Sequence, residues 1–313
     1  MDSTEKPIQW VSRYGSITFN QVGRGFPYGG MNETGLVVEQ MTFDLTRYPA
    51  KDSRQPISAC QWIQYQLDNC SSIEEVMATA KMIRIEDQTS KFHFLVCDSR
   101  GEGAVIEFMN GKIHVVTGEE FKVPVLANSP YDESVSAYQN QINTDYNRSL
   151  YNFCTAARMI DNYYHSKVKD EIKYSFEILK EVSQGNFTKW SIVYDIKNLK
   201  IHFKVYESPK LTKTQILYTE EREAVKSKIV DLNQIDFSCK KPSLVMGLEL
   251  EKEGQVNQYF EDYSTALNKK YIEMAFDYFW SLGVPIQLTD KELNELAKYP
   301  ESFNCINNKK QNK

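Results

Sequence analysis

Residues 16–22 and 36–43 are rich in the β-branched and aromatic types that favour strands, and a Gly- and Pro-rich connection, residues 23–35, separates them. The simplest arrangement is an antiparallel pair. Asn32-Glu33-Thr34-Gly35 reads as the tight turn into the second strand, with Gly35 free to take positive φ. The period then changes. Ile57, Cys60, Ile63 or Gln64, and Leu67 recur at helical spacing, and Pro56 suits a first helical turn, so the pattern predicts a helix to about Asn69. Ser72-Ile73-Glu74-Glu75 has the form of a capping box, in which Ser72 and Glu75 satisfy free amides of a second helix running through Met82.

From Lys91 the pattern returns to strands, at 92–98, 104–109 and 112–116, with Asn110-Gly111 as a strong hairpin signal. Residues 123–126 read as a further strand, Asn128-Ser129-Pro130 ends it, and a polar stretch follows to Ser149. Helices are expected over 148–165 and 173–182, a hairpin over 191–195 and 200–205, and an edge strand over 215–218. The mixed charges of 220–228 describe a solvated face. Beyond Val256, the spacing of Tyr259, Tyr263, Leu267, Tyr271, Met274 and Tyr278 predicts a packed amphipathic helix. With no internal repeat and no obvious linker, the order implies one α+β domain over residues 1–313.

Composition narrows the function classes. The 313 residues are 41% hydrophobic and 25% charged, an ordinary globular mixture. The net charge of −5 and the absence of a basic stretch before the tail Lys309, Lys310 and Lys313 argue against nucleic acid as a partner. No stretch approaches the roughly 20 apolar residues of a membrane span, since residues 275–286 are interrupted by Asp277 and Pro285. The first residues have no basic segment followed by an apolar one, so no export signal is read there. Cys60, Cys70, Cys97, Cys154, Cys239 and Cys305 show no metal-ligand spacing, and each reads as a small buried hydrophobe. His93, His114, His165 and His202 are isolated, and no phosphate loop, dinucleotide fingerprint or nucleophile elbow is present, so neither a metal nor a cofactor is implied.

The residues themselves go further. Gly29-Gly30-Met31-Asn32-Glu33-Thr34-Gly35-Leu36 resembles the GGMNExGL segment of the choloylglycine hydrolase and penicillin V acylase family, which belongs to the N-terminal-nucleophile hydrolases. The resemblance continues in order through Tyr14-Gly15-Ser16, the helix at 57–67, the Ser72 capping box, the hairpin at 92–108, residues 125–132 and Thr188-Lys189-Trp190-Ser191, and is clearest over 8–206. It implies a four-layer αββα sandwich, with helices around Gln61, Met77, Ala157 and Leu179; the helical segment over about 256–300 rests on the spacing alone. It also implies hydrolysis of linear amide C–N bonds in small acyl amides such as penicillin V or conjugated bile acids. In the family the nucleophile is a Cys that opens the mature chain and uses its own α-amine as base, an arrangement that suits a thiol beside an amine titrating near neutrality.

The family's Cys-Thr-x-Phe segment lies several tens of residues ahead of the stretch that here begins at Trp10, so the resemblance implies an N-terminally truncated chain without the nucleophile. Its isolated polypeptide should then have no amidase activity, and a sheet edge or core face should lie uncovered beside residues 36–43. Ser3 and Thr4 are of nucleophile type but have no family counterpart in that role. Two roles carry over: Asn128 as the oxyanion side-chain donor and Thr42 as the oxyanion backbone donor. A family Arg ahead of the position of Thr188 has no match in residues 181–187. Tyr28 and Tyr131 are the expected pocket residues, with Tyr138 and Tyr146 in the adjoining 131–147 segment. The competing reading is a non-catalytic binding or scaffold protein that keeps the fold. Self-association into a homo-oligomer stays open, and location follows the leader: export if one precedes a catalytic Cys, the cytoplasm otherwise.

Overall fold

A side chain at Gly30 would have no room, because its Cβ would lie 2.4 Å from the carbonyl oxygen of Ile17 on the neighbouring strand. That close approach reveals a strand where the sequence suggested a connection. In the computed structural model, which describes residues 6–87, 89–206, 227–238, 244–247, 252–281, 283 and 287–305, Pro27–Asn32 lies between Ser16–Asn20 and Val37–Thr42 and pairs antiparallel with both. The expected direct pairing of the two outer strands is therefore corrected. Glycines made the middle strand look like a loop, yet they are what lets the backbones meet.

The chain divides into two units, Met1–Gly118 with Ile235–Gly247 and Tyr259–Lys313, and Glu119–Gln234 with Leu248–Gln258. The first holds a six-stranded sheet in the order Ser16–Asn20, Pro27–Asn32, Val37–Thr42, Phe92–Cys97, Gly103–Met109, Lys112–Thr117. Every neighbouring pair is antiparallel. Val37–Thr42 has a partner on each side, so the expected open edge beside it is also corrected. The last hairpin turns at Asn110 and Gly111, with φ of 53° and 74°, the positive values a two-residue hairpin turn requires.

Alternation along these strands buries Val38, Phe94, Val96 and Ile106 on one face, where Trp62, Ile63, Leu67 and Val76 of two successive helices cover them. The Trp62 and Phe94 rings stand 4.5 Å apart. The first helix, Ala59–Asn69, starts later than the sequence suggested, with Ser58 as its cap. Pro56 lies instead in a short strand, Gln55–Ile57, paired with Ile83–Ile85. The second, Ile73–Met82, is capped by Ser72, whose Oγ accepts from the Glu75 amide at 3.4 Å. The expected reciprocal bond goes one residue further back, since Glu75 Oε2 accepts from the Ser71 amide at 2.7 Å. The C-terminal part of this unit contains helices Thr265–Ser281 and Asp290–Lys298 in place of the single helix expected.

The second unit contains helices Tyr131–Gln139, Arg148–His165 and Glu171–Glu181. Its four-stranded sheet runs in the order Trp190–Asp195, Lys200–Val205, Lys228–Asp231, Gly254–Gln255. Ile201 and Phe203 are fully buried on the sheet, and buried Phe176 brings the third helix to it, with Lys204 Nζ 4.6 Å from the Phe176 ring. Residues 123–126 are not a strand: Pro124 has no amide to donate, and the Val125 amide turns back to the Val123 carbonyl at 2.8 Å. The first helix of this unit falls in the polar stretch that the sequence left without structure. The strand expected at 215–218, most of 220–228, Ser3, Thr4 and Cys239 lie outside the described residues. Among the described residues no helix is long and apolar enough to cross a membrane.

Candidate active site

The GGMNETGL segment turns out to be a structural latch. Asn32 is fully buried, and its Nδ2 donates to the carbonyls of Leu67 and Cys70 at 2.9 and 2.8 Å, which ties the turn to the end of the first helix. Its Oδ1 accepts from the amides of Thr34 and Leu36 and from the Thr34 hydroxyl. Glu33 Oε1 accepts from the Gly15 amide at 2.8 Å, and Gly35 takes φ of 84°. These bonds satisfy the polar groups of a sharp turn and fix the start of Val37–Thr42, the strand that carries the first candidate donor.

Thr42 is the last residue of that strand and pairs with Phe92. The Phe43 amide donates to the Lys91 carbonyl at 2.8 Å. Because N–H directions alternate along an antiparallel strand, the Thr42 amide points the other way, toward the Pro27–Asn32 strand. The strand end is held firmly. Buried Phe43 stacks on the His93 ring at 4.4 Å, His93 Nδ1 lies 3.0 Å from Glu107 Oε1, and both partners of that pair are buried. Thr46 Oγ1 donates to the Phe92 carbonyl at 3.0 Å, and the Phe92 amide donates to the Tyr48 hydroxyl oxygen at 3.1 Å.

Tyr28 meets the same neighbour: its ring lies 5.8 Å from that of Phe92. The structure thus brings two of the sequence-derived residues, Tyr28 and Thr42, to one end of one sheet. Burial, reinforced by Cys60 and Asp87, pushes the Tyr28 hydroxyl up to about 12. In the second unit, Asn128 is exposed and its backbone amide donates to Ser149 Oγ at 2.8 Å. Asn147 caps the Arg148–His165 helix by accepting from the Ser149 and Leu150 amides, and so fixes the serine that anchors Asn128. Tyr131 is buried, its hydroxyl both donates to the Val123 carbonyl and accepts from the Val123 amide at 3.0 Å, and its ring packs on Phe121 and Phe153. Tyr138 donates to Asp161, whereas Tyr146 is exposed.

The cysteines are held as thiols. Burial pushes Cys60 up to about 12 and Cys70 and Cys97 up to about 11, and raises Cys154 as well. None of these four carries the lowered pKa or adjacent base that activates a thiol. Glu74, Asp98 and Glu102 gather within reach of a common cation, but the Arg100 guanidinium already contacts all three, at 2.5, 2.8 and 3.0 Å. Sequence reasoning missed the latch role of Asn32 and the His93–Glu107 pair. The register of the two strands carrying His93 and Glu107 is the signal that sets them side by side.

A sheet with a helical layer and a turn latched through Asn32 and Glu33 make this part of the chain an α+β fold. Residues 12–164 match the model of the linear amide C–N hydrolases, choloylglycine hydrolase family. The penicillin V acylase of Pectobacterium atrosepticum is 24% identical over 252 residues, 65% of this chain and 66% of that protein. The chain thus spans just under two thirds of the length of that curated relative. The solved penicillin V acylase from Agrobacterium tumefaciens superposes with a TM-score of 0.66 at 22% identity, covering 82% of this chain and 83% of its own. A conjugated bile acid hydrolase variant from Clostridium perfringens gives 0.62 at 17% identity, covering 81% and 87%. These structures share the fold.

Proposed function

We propose that the protein serves hydrolysis of linear amide C–N bonds in small acyl amides, in the manner of penicillin V or conjugated bile acids. The observation that carries this reading is the family match over 12–164, which contains all four candidate residues. In the proposal the Thr42 amide and the Asn128 carboxamide donate to the oxygen that gains charge when a thiolate attacks the amide carbon. The place of Thr42 at the end of its strand and the Ser149 anchor behind Asn128 support it. Tyr28 forms part of the acyl pocket through its ring, and Tyr131 takes part through the packing that holds residues 121–131. A single hydrolase domain over residues 1–313 and self-association into a homo-oligomer belong to the same proposal.

The nucleophile is a Cys whose own α-amine is the base, a requirement that the buried, high-pKa Cys60, Cys70, Cys97 and Cys154 do not meet. The polypeptide of residues 1–313 is accordingly proposed to be inactive by itself. The same four cysteines favour the second reading, a binding or scaffold protein that keeps the fold without the chemistry. The in-frame codons ahead of Met1 separate the two: Cys-Thr-x-Phe behind a leader supports the hydrolase and an exported location, and an immediate stop supports the binding protein. For a form that begins with such a Cys, release of free amine from penicillin V is the assay. There Asn128→Ala should lower kcat by roughly 10²- to 10³-fold, as loss of one oxyanion donor does, and an unchanged kcat removes Asn128 from the site.

A further inference from the structure

The connection that leads to the pocket residue Tyr28 is seated in the C-terminal helices, which lie beyond the residues matched by the family model. Asn268 of helix Thr265–Ser281 is fully buried. Its Oδ1 accepts from the Arg24 amide at 2.7 Å and its Nδ2 donates to the Ala297 carbonyl at 3.1 Å, so one side chain joins the connection to the end of helix Asp290–Lys298. The Tyr263 hydroxyl donates to the same Ala297 carbonyl at 2.6 Å. The glycines on either side of Arg24 have φ of 64° and 105°, and a Cβ at Gly23 would lie 2.5 Å from Ile272 Cγ1, so the helix packs on bare backbone. The Arg24 guanidinium carbon lies 5.2 Å from the Phe303 ring centroid and 5.9 Å from that of Tyr263, and Phe26 stacks on Tyr299 at 5.4 Å. Two residues beyond Phe26, Tyr28 reaches Phe92, the cross-strand partner of Thr42.

We infer that Asn268 is a positioning residue for the acyl pocket: through the Arg24 amide it sets the course of residues 23–28 and thereby the placement of the Tyr28 ring and the selectivity among acyl amides. The inference rests on the proposed amide-hydrolase reading for the nature of the ligand and for the pocket role of Tyr28. A single buried carboxamide suits the task because it offers an acceptor to one element and a donor to the other in fixed geometry.

The test uses the chain of residues 1–313 and needs no turnover. Hydrogen exchange at the Arg24 amide, calorimetric binding of penicillin V, and the thermal midpoint are measured for the wild type, Asn268→Ala, Asn268→Asp, and Val76→Ala as a destabilised control. Asn268→Ala should speed Arg24 exchange and weaken penicillin V binding, each roughly tenfold, as loss of one buried hydrogen bond allows. Asn268→Asp keeps the acceptor and should restore the Arg24 protection in part. Val76→Ala should lower the midpoint and leave binding unchanged. Equal binding by Asn268→Ala and wild type, or the same loss of binding in Val76→Ala, overturns the positioning role. If the wild type binds neither penicillin V nor a glycine-conjugated bile acid, the functional reading fails and takes the selectivity claim with it. The Arg24 exchange result still decides whether Asn268 holds the connection.

Discussion

Replacement of Asn32 by Ala separates a structural latch from a catalytic residue. The side chain makes two donor bonds to the Leu67 and Cys70 carbonyls and accepts three, from the Thr34 amide, the Thr34 hydroxyl and the Leu36 amide. A net hydrogen bond contributes about 1 kcal/mol, and a buried partner left unpaired costs about 1–3 kcal/mol. Thr34 is partly solvated and can turn to water, but the Leu36 amide is buried and cannot. The expected loss is therefore about 3–5 kcal/mol, a large share of the stability of an ordinary domain. Urea unfolding followed by tryptophan fluorescence reads it directly, since Trp62 lies in the core that this turn closes. A loss below about 1 kcal/mol, less than one of these bonds is worth, would refute the latch.

Other consequences are as direct. Gly30→Ala forces a Cβ against the Ile17 carbonyl and should cost about 1–3 kcal/mol in a urea titration. His93→Ala and Glu107→Ala should each be destabilising, by about 1–3 kcal/mol, because each removes one side of a buried hydrogen bond, and the double variant should cost less than the two singles added. Cys60, near 9 when unfolded, and Tyr28 and Tyr299, near 10 when unfolded, all rise to about 12 in the fold, so the folded state holds its protons more tightly. The stability these groups contribute is whole below pH 9 and is lost as pH climbs toward about 12, which urea midpoints across that window should show.

Much of this was legible in the sequence where local signals agreed. Asn110-Gly111 carried its hairpin, and the Ser72 cap began its helix, because those bonds form within a few residues. The third strand was hidden because Gly29 and Gly30 look like loop residues until a neighbouring backbone is seen against them. Pro56 was misplaced because a proline serves equally at a helix start and in an edge strand. Thr42 and Asn128 could be named only through the family resemblance, since a backbone amide leaves no trace in residue type. The Asn268 bond to Arg24 spans most of the chain, so no local pattern reveals it.

The proposed amide chemistry needs a thiol other than buried Cys60, Cys70, Cys97 and Cys154. Mass spectrometry of the chain of residues 1–313 after incubation with a glycine-conjugated bile acid, with the released amine quantified alongside, tests it most directly. The expected result is no acyl adduct on Cys60, Cys70, Cys97 or Cys154 and no free glycine. Amine release accompanied by an acyl adduct mapped to any of those four would show that a buried thiol carries the reaction and would contradict it.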